Sequence, residues 1–208
     1  MNILIADDHA IVRKGLVELL REEFPVALIV EANSSTDVLE KVKGKVWDII
    51  MLDISMPGRN GVDVLKQLRA DGVKAPILML SIHSEEQYAI RVLKAGASGF
   101  LNKDSATEEL TLAIRKVISG KKYITDTLAE KLATTSLGDL DKPVHELLSD
   151  REMQVFQLLG NGHSVSEIAD KISLSVSTIS TYRSRILEKL SLNNNFEITR
   201  YALEKGLI

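Results

Sequence analysis

The run Asp48-Ile49-Ile50-Met51-Leu52-Asp53 constrains this chain more than any other stretch. An uninterrupted apolar run between acids, followed by the turn pair Pro57-Gly58, reads as a strand buried on both faces. Such a strand needs cover on both sides, which a parallel sheet wrapped in helices supplies. Ligands of an open parallel sheet gather beyond the carboxyl ends of its strands. Asp53 is therefore expected at that rim, exposed to solvent and ready for chemistry.

The neighbouring residues repeat the same alternation. Met1 to Ala6 forms an apolar strand that runs into Asp7 and Asp8. Ile11, Val12, Leu16, Leu19 and Leu20 recur at helical spacing from Ala10 to Glu23, and Pro25 closes that helix. Val26 to Val30 is a second strand, and Ser35 to Lys43 a second helix with Ser34 or Ser35 as its cap. After the Asp53 strand come a helix marked by Val62, Leu65 and Leu68, a strand over Pro76 to Ser81, and a helix over Glu85 to Ala95. A short strand, Gly99-Phe100-Leu101, and a helix from Ala106 to Ile118 complete the series. Strands alternating with helices imply right-handed crossovers and a parallel α/β sheet.

The strand ends share one kind of chemistry. The first strand ends in Asp7 and Asp8, the third in Asp53, the fourth in Ser81, and Lys103 follows the fifth. Three carboxylates brought together resist ionisation unless a cation joins them. A hard divalent ion with oxygen ligands fits best, which points to Mg²⁺. The whole set suits phosphoryl transfer, with Asp53 as nucleophile, Ser81 as hydrogen-bond donor and Lys103 neutralising phosphoryl oxygens. Taken singly, each residue is equally well a turn cap or a surface charge. Four such residues at the ends of four strands make a poor coincidence.

A chain of 208 residues is long for one domain, so two are expected. Gly120 to His145 changes character and reads as a mildly acidic tether, opening on a weak helical pattern at Leu128, Leu132 and Ala133. Beyond it Ser149 and Glu152 form a capping box for a helix ending near Gly160. A short helix opens at Ser164, a longer one spans Val176 to Leu190, and a last one spans Phe196 to Lys205. The second and third of these, joined by a tight turn, make a helix-turn-helix. The third leaves Ser177, Ser180, Thr181, Tyr182, Arg183, Ser184, Arg185 and Lys189 outside its core face. Such cations meet phosphates and such hydroxyls meet backbone or base edges, although a solvated face of a helical bundle carries the same residues.

With no cysteine the chain has neither disulfides nor thiolate metal sites, which suits a cytoplasmic protein. The acidic N-terminus does not read as a signal peptide, and no apolar run approaches the roughly 20 residues of a membrane span. A net charge of −3 supplies no general attraction to nucleic acid, so DNA binding rests on a local patch.

Residues 1 to about 120 resemble the receiver domain of two-component response regulators. The resemblance is carried by Asp7-Asp8, Asp53 with Met56-Pro57 and Gly61, Ser81, and Lys103 preceded by Gly99-Phe100. It implies a flavodoxin-like (βα)5 fold in which Asp53 is phosphorylated by a sensor histidine kinase or a small acyl phosphate. It also implies Mg²⁺ held by Asp8, Asp53 and the carbonyl of Ser55, with Asp7 direct or through water. Ser81 and Phe100 would be the switch pair and Lys103 would pair with the phosphoryl group; Ser55 and His83 flank the site and would tune its lifetime, although His83 reads equally well as an ordinary loop histidine.

Residues 147 to 208 resemble the LuxR/NarL-type output domain. The matching residues are Leu148 to Glu152, Glu167-Ile168-Ala169, Thr178-Ile179, Arg183 to Leu190 and Tyr201-Ala202-Leu203. This implies an all-α, four-helix module that binds double-stranded DNA as a homodimer, its third helix in the major groove and its fourth available for pairing. Ser166, Ser177, Thr178, Ser180, Thr181, Tyr182, Arg183, Ser184, Arg185 and Lys189 are the expected DNA contacts. Ser166, Ser180 and Tyr182 depart from the lysines and histidine often found there. The cations Arg151, Lys171, Arg183, Arg185, Lys189, Arg200 and Lys205 meet at least as many acids. Weak, salt-sensitive binding by the monomer is expected, with dimerisation supplying the remainder.

The expected layout is a receiver over 1–122, a linker over 123–146 and the helix-turn-helix domain over 147–208. The expected function is a phosphorylation-controlled transcription regulator, not an enzyme. Two rivals remain. One is a Mg²⁺-dependent phosphohydrolase, disfavoured because Ser55 stands where a second acid would be needed. The other is a phosphorylation-dependent protein-interaction module.

Overall fold

The computed structural model describes residues 1–56, 59–82, 85–125, 128–129 and 144–208, without the side chains of 85–87, 107 and 146. The chain folds as two units, Met1–Leu137 and Gly138–Ile208.

The first unit alternates strands and helices in the order β1 (Asn2–Ala6), α1 (Ala10–Glu23), β2 (Leu28–Ala32), α2 (Ser35–Val42), β3 (Ile49–Asp53), α3 (Gly61–Ala70), β4 (Ile77–Ser81), α4 (Glu85–Lys94), β5 (Gly99–Asn102) and α5 (Ala106–Ile118). The five strands are all parallel, in the order β2-β1-β3-β4-β5, which places the Asp53 strand at the centre. Every residue of β3 and of β4 is buried, as an apolar run bounded by turns requires. Alternate residues serve one face: Ile3, Ile5, Ile49, Met51, Leu78, Leu80 and Leu101 pack against Leu16, Val17 and Leu20 of α1 and Leu110, Ile114 and Val117 of α5. Burying a side chain of this size contributes about 1.5–3 kcal/mol, so this layer holds the strand ends in place.

The second strand is shifted by two residues from its expected position. Val26 is 92% exposed and lies in a turn closed by the Ala27 N–H donating to the Phe24 carbonyl, and β2 runs on through Glu31. It is an edge strand, so one polar residue does not end it.

The second unit is helical: a short 3₁₀ turn (Val144–Leu147), then α6 (Asp150–Gly160), α7 (Val165–Lys171), α8 (Val176–Leu190) and α9 (Asn195–Glu204). Met153, Val155, Phe156 and Leu159 of α6 are buried, as are Ile168 and Ala169 of α7, Ile179, Ile186 and Leu190 of α8, and Ile198 and Ala202 of α9. Ser149 and Glu152 form the expected capping box, and Ser164 with Glu167 forms a second. Between α7 and α8 the chain turns through Ser173 in the left-handed region, and Ser175 caps α8 by accepting from the Thr178 N–H.

Candidate functional site

The five residues singled out at the strand ends meet around β3. Asp53 ends β3, and its neighbour β1 delivers Asp7 and Asp8. From the other side, β4 ends on Ser81, and the Lys103 N–H donates to the Ser81 carbonyl just past β5. Lys103 Nζ lies 2.8 Å from Asp7 Oδ2 and 2.8 Å from Asp53 Oδ2, one cation shared by two carboxylates.

Asp53 is not exposed to solvent, contrary to expectation. It is 1% accessible, and Asp7 and Ser81 are equally enclosed. The reason is Lys103, whose ammonium, itself 6% exposed, lies over both carboxylates. Burial pushes the Asp53 carboxyl up from 3.8 to about 6; Lys103 opposes that rise and Asp7 adds to it. Burial pulls Lys103 down, but the two aspartates outweigh it and its pKa is raised.

The backbone shapes the rest of this site. The Ser55 N–H donates to Asp53 Oδ1 at 3.2 Å. A Cβ on Gly61 would lie 2.0 Å from the Asp53 carbonyl oxygen, so only glycine lets the first turn of α3 sit this close. Asn60 caps that helix by accepting from the Val62 N–H. Phe100, the expected aromatic member of the switch pair, is buried here at 2% exposure.

Two contributors escaped the sequence reading. His9 follows the acidic pair, and its Nδ1 lies 2.9 Å from Asp8 Oδ1 and 3.4 Å from Asp7 Oδ1. Arg13, one turn into α1, donates to the Asp7 carbonyl at 2.5 Å and to Glu31 at 2.9 Å. Position beside Asp7-Asp8 was the available signal for His9; nothing local signalled Arg13. His83 and Pro57-Gly58 lie outside the described residues.

Asp7, Asp8, His9 and Asp53 each offer a ligand atom, all within 4.8 Å of one another. Asp8 Oδ1 is enclosed, with His9 Nδ1 2.9 Å away. Three acids, two of them sharing one ammonium, form a cluster able to hold a metal ion.

In the second unit the expected DNA-contact residues divide. Ser166, Ser177, Ser180, Thr181, Ser184 and Arg185 are exposed, and Thr178, Tyr182 and Arg183 are half-buried. Ser177, Thr178, Thr181, Tyr182 and Arg185 line a shallow concavity of about 240 Å³. Arg183 Nε donates to Asn195 Oδ1 at 2.6 Å, which ties α8 to α9. Lys189 is committed elsewhere: Nζ lies 2.6 Å from Glu152 Oε2 and donates to the Leu147 carbonyl at 3.2 Å.

Comparison with known proteins agrees with this geometry. Residues 3–115 match the response regulator receiver domain, and residues 146–202 match the bacterial regulatory proteins of the luxR family. The chain belongs to the two-component response regulators: a receiver followed by a LuxR-family, DNA-binding output domain. It is 31% identical to the response regulator UvrY of Escherichia coli K12, over all of this chain and 95% of that one. It is likewise 31% identical to the response regulator GacA of Pseudomonas aeruginosa, over all of this chain and 98% of that one. Among solved structures it resembles RcsB of Salmonella enterica serovar Typhimurium bound to promoter rprA in the presence of phosphomimetic BeF3⁻. That match has a TM-score of 0.66 and 26% identity, covering 97% of each chain. Among the described residues no helix is long and apolar enough to cross a membrane.

Proposed function

We propose that Asp53 is the phosphoacceptor of this regulator and that its phosphorylation controls dimeric DNA binding through α8. The observation that carries the reading is the buried cluster of Asp53, Asp7 and Lys103 at the carboxyl end of the central strand. At pH 7, above its pKa of about 6, the Asp53 carboxylate is mostly ionised and able to attack. One of its oxygens forms a bond to phosphorus. The bond from phosphorus to the donor's imidazole nitrogen or acyl oxygen breaks, and the electron pair leaves with the donor. Lys103 offsets charge on the transferred group, and Asp8, Asp53 and the Ser55 carbonyl are the ligands we assign to Mg²⁺, with Asp7 and His9 beside it. When bound, that ion neutralises the phosphoryl oxygens and draws the acids together. The new oxygens attract the Ser81 hydroxyl and bias the surface of α4, β5 and α5 toward a second packing.

For the output we assign residues 147–208, joined through 123–146 to a receiver over 1–122. Arg185 and the hydroxyls of Ser177, Thr178 and Thr181 form the DNA-facing wall of α8, with Ser166, Ser180, Tyr182, Arg183 and Ser184 around it. Lys189, paired to Glu152, supports α8 instead. Phe196 and Leu203, seven residues apart on α9, are 74% and 63% exposed and form an apolar stripe suited to pairing two copies. The donor is a sensor histidine kinase, and the setting is the cytoplasm.

The test is an electrophoretic mobility shift with acetyl phosphate and Mg²⁺. Wild type gains affinity and shifts to a dimer on DNA, while Asp53→Ala does neither. Equal gains in the two proteins overturn the assignment. Arg185→Ala lowers affinity about tenfold with a smaller salt slope, as the loss of one phosphate contact predicts.

A further inference from the structure

One stretch of the opposite rim of the receiver sheet carries the reverse charge. A cleft of about 580 Å³ opens at the amino ends of β4 and β5, between the α3–β4 turn and the end of α5. Arg69, Lys74, Lys121 and Lys122 line it, and none of its described lining residues is acidic. Four cations without a carboxylate stand out in a chain with 29 acids against 26 bases.

The four are held differently. Arg69 Nε donates to the Gly96 carbonyl at 2.9 Å, and Nη1 donates to Val73 and Ala75 at 2.6 and 3.0 Å. This guanidinium is half-buried against backbone carbonyls, and burial lowers its pKa. Lys122 Nζ donates to the Ala97 carbonyl at 3.0 Å, which seals the cleft floor. Lys74 and Lys121 are exposed at the rim, one from each helix end, and Lys122 is exposed apart from its bond to Ala97. A cation in or just past the last turn of a helix commonly complements its dipole, and these four gather from the ends of two helices, α3 and α5; what sets the cleft apart is that both ends deliver their cations to one hollow with no carboxylate among its described lining residues.

We propose that this cleft is a second anion site, one that takes a small, multiply phosphorylated molecule. Its volume falls within the roughly 300–1,000 Å³ of small-ligand pockets. It is an open hollow of limited extent, which admits a compact polyanion, whereas the backbone of a nucleic acid needs an extended track. Arg69 and Lys122 form a fixed positive floor, and Lys74 and Lys121 close on the ligand from either side. The site is independent of Asp53 chemistry, because it lies at the other end of the strands.

The test uses the full chain in metal-free buffer, titrated with inorganic tripolyphosphate and followed by amide chemical shifts. Saturable shifts are expected at residues 73–75, 96–98 and 120–122. Lys74→Glu combined with Lys121→Glu weakens binding at least about tenfold, as loss of two charge-assisted contacts requires. Lys74→Met with Lys121→Met serves if the charge reversal disturbs folding. Arg183→Ala with Arg185→Ala leaves binding unchanged, and so does Asp53→Ala. Equal shifts from sulfate at matched ionic strength, or loss of binding in the α8 variant, overturn the proposal. Loss of DNA affinity in the Lys74/Lys121 variant without any tripolyphosphate binding also overturns it and reassigns the cleft to the DNA backbone.

Discussion

Each unit contains a buried carboxylate against a lysine, and the two pairs behave in opposite ways. Glu152 accepts from the Ser149 N–H at 2.7 Å and pairs with Lys189 at 2.6 Å. Those bonds outweigh its burial and hold its pKa below the usual carboxylate value. Asp53 has one backbone donor at 3.2 Å, shares its lysine with Asp7, and has its pKa pushed up to about 6. A carboxylate whose lone pairs are met is structural. One that is buried, short of donors and crowded by a second acid is held ready for a cation or a phosphoryl group.

The largest expected effect breaks the comparison at Asp53. The folded protein holds this proton more tightly than the unfolded chain, so stability falls as pH rises from 3.8 to about 6 and stays lower above. A shift of this size corresponds to about 3 kcal/mol, so metal-free Asp53→Asn is more stable than wild type at pH 7 by up to about that amount. The gain disappears near pH 4, where wild type is protonated as well. Urea unfolding at the two pH values, with EDTA, measures it. Adding Mg²⁺ then raises the stability of wild type and not of the variant; a variant less stable than wild type at pH 7 would refute the strained-site reading.

Much of this was legible along the chain. The apolar run before Asp53, the alternation of elements and the acids at the strand ends are local signals, and they placed β3, the sheet and the cluster. Enclosure was not local. Lys103 arrives from beyond β5 and covers Asp53, so a residue expected in solvent is buried. Glu152 and Lys189 belong to different helices, and a lysine on an otherwise hydroxyl-rich helix read as a phosphate contact until its partner was in view. The shift of β2 has the same origin: an edge strand tolerates Glu31, so the apolar pattern marked its start too early.

Next in size is the other pair. Lys189→Met leaves Glu152 buried with its backbone bond alone. Breaking a buried pair costs about 3–5 kcal/mol, but Lys189 is 37% exposed, so solvent screening reduces the loss to about 2 kcal/mol. The loss appears in the unfolding of the helical unit. DNA affinity of the folded fraction is expected to change less than in Arg185→Ala, if Lys189 positions α8 and Arg185 contacts DNA as proposed.

The smallest effect tests the other half of the same network. In the capping box the Ser149 hydroxyl accepts from the Glu152 N–H while the Glu152 side chain returns to the Ser149 N–H. Ser149→Ala removes the first bond and leaves the second, together with Lys189, in place. A loss of about 1 kcal/mol is expected, the ordinary cost of an N-cap. The informative measurement is the double variant Ser149→Ala with Lys189→Met. If Glu152 is the shared hub, the two losses are not additive, because each substitution loosens the carboxylate that the other also holds. Strict additivity would mean that cap and ion pair act separately, and Glu152 would then owe its low pKa to two unconnected neighbours.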